Sequence, residues 1–170
     1  CKVTVLPEVD PAEILRLIED EKVNLLFMVP AVILFVMQQP DIATRDVSSV
    51  RQVIYGASPI AEELLVQAAA KFKCDFVQVY GLTETTGGGT NLKPADHDAA
   101  RNKLRSCGKP NKGVELRIVD EAGNDVPQGE VGEIIMRGGS IMKGYWNKPD
   151  ATSEAVKEGW FYSGDAGFLD

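Results

Sequence analysis

Asp75-Phe76-Val77-Gln78-Val79, then Tyr80-Gly81-Leu82-Thr83-Glu84-Thr85-Thr86-Gly87-Gly88-Gly89, decides how this chain is read. Residues 75–79 read as a short buried strand. The strand runs out into an aromatic ring, a series of hydroxyls, one carboxylate and three glycines. In an open parallel sheet, ligands collect at the carboxyl ends of strands, so this loop stands where chemistry is expected. Tyr80 can stack on a flat ring, Thr83 can bond a phosphate oxygen, and Glu84 can hold a hard divalent cation such as Mg²⁺. The same loop also suits a plainer reading, with threonines capping a turn and glycines as a flexible connector.

Working outward, the residues before this loop alternate helix and strand signals. Asp10 can cap a helix with Pro11 at its first position and Glu13 at its third, followed by the apolar stripe Ile14, Leu15, Leu17 and Ile18. Residues 23–29 and 50–55 read as further buried strands. Residues 31–37 read as a buried helix, and 59–72 as a helix capped by Ser58 and opened by Pro59, with Glu62 and Glu63 at its positive end. The opening Val3-Thr4-Val5-Leu6 looks strand-like. Strands alternating with helices imply part of a parallel sheet flanked by helices.

The second half changes character. Residues 86–113 read as loop. Residues 114–119 and 131–136 read as a strand pair around the turn Glu121-Ala122-Gly123-Asn124. A short helix over 149–156 and an aromatic strand Trp160-Phe161-Tyr162 follow. The fold class expected is therefore α/β followed by a small β-rich, distorted barrel-like subdomain. The divisions are residues 1–95 and 96–170, both parts of one larger domain.

Two more loops could carry chemistry. Tyr55-Gly56-Ala57-Ser58-Pro59 lets a flat ligand approach the backbone, and equally suits a tight turn with a helix cap. Ser163-Gly164-Asp165 offers a carboxylate that can accept two hydrogen bonds from a ribose diol, and equally suits an ordinary turn. His97, between Asp96 and Asp98, reads as a solvated loop histidine. Residues 143–146 read as a turn with aromatic packing.

Composition narrows the function. The 170 residues carry a net charge of -7, which argues against a nucleic-acid backbone as the partner. The longest apolar run, residues 25–37, is 13 long and interrupted by Pro30, too short for a transmembrane segment. No secretory signal opens the chain. Cys1, Cys74 and Cys107 are widely spaced, and with a single histidine a zinc site is not expected. Free thiols suit a reducing, cytoplasmic setting.

Taken in order, Tyr80-Gly81-Leu82-Thr83-Glu84, Gly132-Glu133-Ile134, Gly144-Tyr145-Trp146 and Tyr162-Ser163-Gly164-Asp165 resemble the core motif series of the adenylate-forming enzymes. Leu6-Pro7 with Asp10, Val29-Pro30, and Leu82 in a place where peptide-synthetase adenylation domains usually carry Pro resemble the acyl-CoA synthetase (fatty-acid–CoA ligase) branch. The resemblance spans essentially the whole chain. It implies activation of a carboxylic, fatty, acid with Mg-ATP to acyl-AMP and pyrophosphate, then transfer to coenzyme A. It implies that Gly56, Ala57 and Ser58 line the adenine and acyl pocket. Tyr80 would pack on adenine with Gln78 and Gly81 beside it. Thr83 would contact the α-phosphate, Glu84 would bind Mg²⁺, and Asp165 would hold the ribose hydroxyls. Thr83 and Glu84 are the expected catalytic pair.

Such chemistry needs positioning and charge neutralisation more than a protein nucleophile. The family's phosphate loop, hinge arginine and C-terminal lysine do not occur in these residues, and Ser163 stands where Thr is commoner. The chain is therefore expected to be an internal piece of the large N-terminal domain, inactive alone, and prone to homo-oligomerise through exposed strand edges. A non-catalytic nucleotide-binding or interaction module of the same fold, and an adenylate-forming ligase acting on an aryl acid, are the alternatives. A Rossmann dehydrogenase is disfavoured, since no GxGxxG follows a strand.

Overall fold

Asp10 starts the first helix as its short carboxylate allows: Oδ1 accepts from the backbone N–H of Ala12 at 3.0 Å and of Glu13 at 3.1 Å. Helix α1 runs Pro11–Glu21 and buries Leu15 and Ile18, the centre of the expected stripe. The computed structural model describes residues 2–170. Cys1 and its thiol lie outside the described residues, whereas Cys74 and Cys107 are free. Burial pushes the Cys74 thiol up to about 11, so it stays protonated and inert at neutral pH.

The elements that follow are β1 (Leu25–Met28), α2 (Pro30–Met37), β2 (Gln52–Gly56), α3 (Glu62–Phe72) and β3 (Asp75–Tyr80). Next come β4 (Thr90–Leu92), β5 (Lys109–Pro110), β6 (Val114–Val119) and β7 (Gly132–Gly138). Then come α4 (Pro149–Ala155), β8 (Val156–Lys157) and β9 (Trp160–Gly167). The first sheet has the order β1-β2-β3-β4-β5; β1 pairs parallel with β2 and β4 antiparallel with β5, so it is mixed. The second is a curled antiparallel sheet in the order β6-β7-β9-β8. This is the expected α/β part with flanking helices and a β-rich, barrel-like part.

The chain packs as two units, one of residues 2–78 and 92–105, the other of 79–91 and 106–170. The first has a core of α1, α2 and α3 side chains on β1–β3, including Leu15, Ile33, Val53, Tyr55, Leu65 and Phe76. The second has its own core on Ile118, Ile134, Met136 and Phe161. On the second unit's surface, Trp160 carries the Arg137 guanidinium 4.5 Å from its ring centroid.

Four local expectations are corrected. Residues 3–6 form no strand: Val3 and Val5 are exposed and no described strand pairs with them. Helix α3 begins at Glu62, not Pro59, and Ser58 does not cap it. Ala57 takes a left-handed φ of 67°, and Ala61 is still extended before the helix. Ile60 meanwhile packs on the core, holding the entering chain out of helical register. Residues 86–113 are not all loop, because buried Thr90 and Leu92 anchor β4 and short 3₁₀ turns form over Pro94–His97 and Ala99–Arg101. β9 is longer than the aromatic triplet, reaching Gly167.

His97 is the fifth correction. It is not solvated. Its ring packs edge-on to Tyr55 with centroids 5.7 Å apart and lies 6.3 Å from Phe76. Nδ1 is 2.9 Å from the Lys93 carbonyl, and Nε2 is 3.0 Å from the Tyr55 hydroxyl. A carbonyl only accepts, so Nδ1 donates and Nε2 of the neutral ring accepts the Tyr55 O–H. Burial holds the imidazole below its usual pKa, against the opposing pulls of the Lys93 carbonyl and Asp96.

A depressed folded-state pKa has a definite sign. The stability that neutral His97 contributes is complete above the unfolded value of about 6.5 and is lost as pH falls through the folded value. The denaturation midpoint of the first unit should therefore fall between pH 7.5 and pH 5. His97→Gln should flatten that part of the profile, and an unchanged slope would remove His97 as its cause.

Candidate functional site

The site is built on the second unit, where β3 ends. Beyond Tyr80 the chain passes Gly81 and makes a 3₁₀ turn over Thr83–Thr85. Thr85 is fully buried and closes that turn, its Oγ1 accepting from the Leu82 N–H at 2.9 Å and donating to the Leu82 carbonyl at 3.0 Å. This turns Thr83 outward, exposed, and leaves Glu84 half-buried.

Gly81 is required by space. A Cβ there would lie 2.7 Å from the Gly87 carbonyl carbon and 2.9 Å from the Gly88 nitrogen, both backbone atoms. Gly87 turns the chain with a φ of 70°, in a region where a side chain is strained. Gly89 is also closely packed: a Cβ would meet Met136 Sδ at 2.8 Å and the Tyr80 carbonyl at 3.0 Å. The glycines therefore fold the loop back onto its own strand.

Asp165 arrives at the same place from β9. Tyr80 Oη donates to Asp165 Oδ2 at 2.8 Å, across 85 residues of sequence. Burial, with the neighbouring Asp165 carboxylate, holds the Tyr80 phenol above its usual pKa, so it remains a donor. Asp165 is aimed by a bulge. Glu133 faces Ala166 and Ile135 faces Tyr162, so Ile134 alone stands opposite Ser163, Gly164 and Asp165. Ser163 Oγ donates to the Ile134 carbonyl at 2.7 Å and accepts from the Asp165 N–H at 3.0 Å. The Gly164 N–H donates to Glu133 Oε1 at 2.9 Å, and Gly164 takes a φ of 75°. A shallow depression of about 220 Å³, lined by Glu133, Gly164, Asp165 and Ala166, opens beside this carboxylate. Residues 163–165 are thus a bulge inside a strand rather than an ordinary turn.

Glu84 gains a neighbour that the sequence reading missed. Tyr145 Oη donates to Glu84 Oε1 at 2.7 Å, and the Met142 N–H donates to the Glu84 carbonyl at 2.7 Å. Tyr145 therefore does not sit in a purely packed aromatic turn, and Trp146 beside it is 90% exposed. The Gly-Tyr-Trp triplet was a visible signal, but its spacing from Glu84 carried no hint of contact.

The remaining predicted residues belong to the first unit. Gly56 ends β2 and is buried; Ala57 and Ser58 follow it exposed, and Gln78 is half-buried on β3. Ala57 at φ 67° is a strained position for a residue with a side chain, at a cost of about 1 kcal/mol.

The model of the AMP-binding enzyme family matches residues 1–146. The chain belongs to that family. It is 43% identical over 161 residues to a medium/long-chain-fatty-acid–CoA ligase of Mycobacterium tuberculosis, covering 95% of this chain and 28% of the relative. It is 36% identical to a feruloyl-CoA synthase of Amycolatopsis, covering 95% of this chain and 32% of the relative. Among solved structures, the N-terminal domain of FACL13 from Mycobacterium tuberculosis matches with a TM-score of 0.86 and 35% identity, covering 97% of this chain and 40% of that one. An amide bond synthetase from Marinactinospora thermotolerans matches with a TM-score of 0.89 and 33% identity, covering 97% of this chain and 33% of that one. The chain thus spans about a third of the length of its curated relatives, and its fold is that of an adenylate-forming enzyme's N-terminal domain.

Gly81→Ala should push the Gly87–Gly88 backbone away and cost roughly 1–3 kcal/mol, as overpacking does. A lowered unfolding midpoint, with loss of hydrogen-exchange protection concentrated in residues 82–89, is the expected result. An unchanged midpoint would mean that the loop accommodates a methyl group.

Proposed function

We propose that this chain holds the adenosine and cation-binding part of an ATP-dependent acid–thiol ligase whose substrate is a fatty acid. The Tyr80–Asp165 hydrogen bond carries the reading: the phenol takes one carboxylate oxygen, no described group bonds the other, and Asp165 lines a shallow depression that suits a ribose diol. In the reaction a substrate carboxylate oxygen attacks the α-phosphorus of ATP. The new O–P bond forms as pyrophosphate leaves. The thiol of coenzyme A then attacks the acyl carbon, losing its proton, and AMP departs.

In that scheme Asp165 accepts the ribose hydroxyls and Tyr80 presents its ring to adenine beside Gly81. Exposed Thr83 donates to an α-phosphate oxygen. Glu84 fits a Mg²⁺ ion: Tyr145 occupies one carboxylate oxygen and no described protein group bonds the other. No group of three acidic, histidine or cysteine ligands exists among the described residues, which suits an ion that takes one carboxylate plus phosphate oxygens and waters. Bound there, the ion would neutralise phosphate charge.

The fatty-acid reading rests on the relative at 43% identity. The feruloyl-CoA synthase and a tobacco 4-coumarate–CoA ligase, both at 36%, support an aryl acid as the second reading. No helix among the described residues is long and apolar enough to cross a membrane, and the reading places the ligase in the cytoplasm.

A thermal-shift titration with AMP and Mg-ATP tests the adenosine role. A ligand at a hundredfold its dissociation constant should raise stability by about 2.7 kcal/mol. The shift should vanish in Asp165→Ala and shrink in Tyr80→Ala; a full shift in Asp165→Ala would overturn the assignment. With ATP, fatty acid and hydroxylamine, the purified 170-residue chain should release no pyrophosphate above background. Measurable turnover would show that these residues suffice.

A further inference from the structure

We propose that Tyr145 is the positioning residue for Glu84, fixing its carboxylate so that the free oxygen is presented to a divalent cation, and that Thr152 of α4 sets Tyr145 in turn. This rests on the reading of Glu84 as the cation ligand.

A glutamate on a single 3₁₀ turn, half-exposed, has three side-chain torsions and little to restrain them. Here it is restrained from one neighbouring segment. The phenol takes Oε1 at 2.7 Å, the Met142 N–H takes the Glu84 carbonyl at 2.7 Å, and Thr86 Oγ1 donates to the Ser140 carbonyl at 2.8 Å. A carboxylate offers about four acceptor positions, so one phenol hydrogen bond leaves Oε2 entirely available. The phenol suits the task because its ring has only two torsions to fix. The adjoining carboxylate also holds its pKa above the usual value, so it stays a donor.

The far side of Tyr145 is fixed as well. Its backbone N–H donates to Thr152 Oγ1 at 2.9 Å, while that hydroxyl donates to the Lys148 carbonyl at 2.8 Å. Gly144 lies against the same threonine with a φ of 151°, and a Cβ there would meet Thr152 Cγ2 at 2.8 Å. Gly144, Tyr145 and Thr152 therefore act as one device. The glycine admits the threonine, the threonine anchors the tyrosine backbone, and the tyrosine reaches Glu84. Groups that orient a metal ligand without touching the metal typically change affinity by about ten- to hundredfold. The exposure of this pair puts the expected effect at the low end.

The test is Mn²⁺ titration of the chain with ATP present, read by electron paramagnetic resonance, on wild type, Glu84→Gln, Tyr145→Phe, Thr152→Ala and Thr152→Ser. Tyr145→Phe should weaken Mn²⁺ by roughly three- to tenfold, the effect of losing one immobilised side chain. Metal-free ATP affinity and the unliganded unfolding midpoint should stay unchanged. Thr152→Ala should weaken Mn²⁺ similarly and Thr152→Ser should restore it. Wild-type affinity in Tyr145→Phe, with Glu84→Gln weakened, overturns the positioning role alone. Equal Mn²⁺ affinity in wild type and Glu84→Gln overturns the cation reading and the proposal with it. Should Tyr145→Phe fail to fold, the ring resonances of Tyr145 in wild type decide. They should shift on adding Mg²⁺ with ATP and not in Glu84→Gln, and no shift in wild type overturns the proposal.

Discussion

Ile134 stands across the ladder from three residues of β9, and the candidate site depends on that mismatch. A regular antiparallel pair would tie Asp165 to the face that strict alternation dictates, and a bulge re-aims it. The extra residues instead loop outward and are fastened at each end. The Ser163 hydroxyl returns to the Ile134 carbonyl, and the N–H groups of Gly164 and Asp165 are taken by Glu133 and by Ser163 Oγ. The carboxylate that results is close enough to Tyr80 to accept its phenol. Buried neighbours make the bulge rigid, since Ile135 and Met136 on the next positions of β7 are fully buried.

The loop after β3 solves a different problem. It must show Thr83 and Glu84 to solvent while remaining fixed. Burying Thr85 does this: its hydroxyl satisfies both the N–H and the carbonyl of Leu82. The glycines at 81 and 89 let the two arms of the loop approach more closely than any side chain permits. The loop between β7 and α4 supplies the outer support, through Ser140, Met142 and Tyr145.

Much of this was legible beforehand. Asp10, Pro11 and the stripe of Leu15 and Ile18 announced α1 because caps and helical periodicity are local properties. The residues at the end of β3 and Asp165 were legible as candidates because a carboxylate among glycines after an apolar run is rare chemistry in a visible place. What remained hidden is non-local. Nothing in residues 143–146 reveals that Tyr145 meets Glu84, 61 positions away. Nothing around His97 reveals Tyr55 and Phe76 as its neighbours, so its polar flanks suggested solvent. The helix start was misplaced for a related reason: Ser58-Pro59 is a sound local signal, yet Ile60 has a better place against the core.

The distribution of aromatic and imidazole groups makes the two units separately observable. Both tryptophans of the chain, Trp146 and Trp160, belong to the second unit, and the one histidine belongs to the first. Indole emission therefore reports on one unit alone, with Trp146 in water and Trp160 beside a guanidinium giving distinct environments. The imidazole proton signals of His97 report on the other. The protein carries its own pair of spectroscopic labels, and the order in which its units lose structure can be followed without attaching a probe.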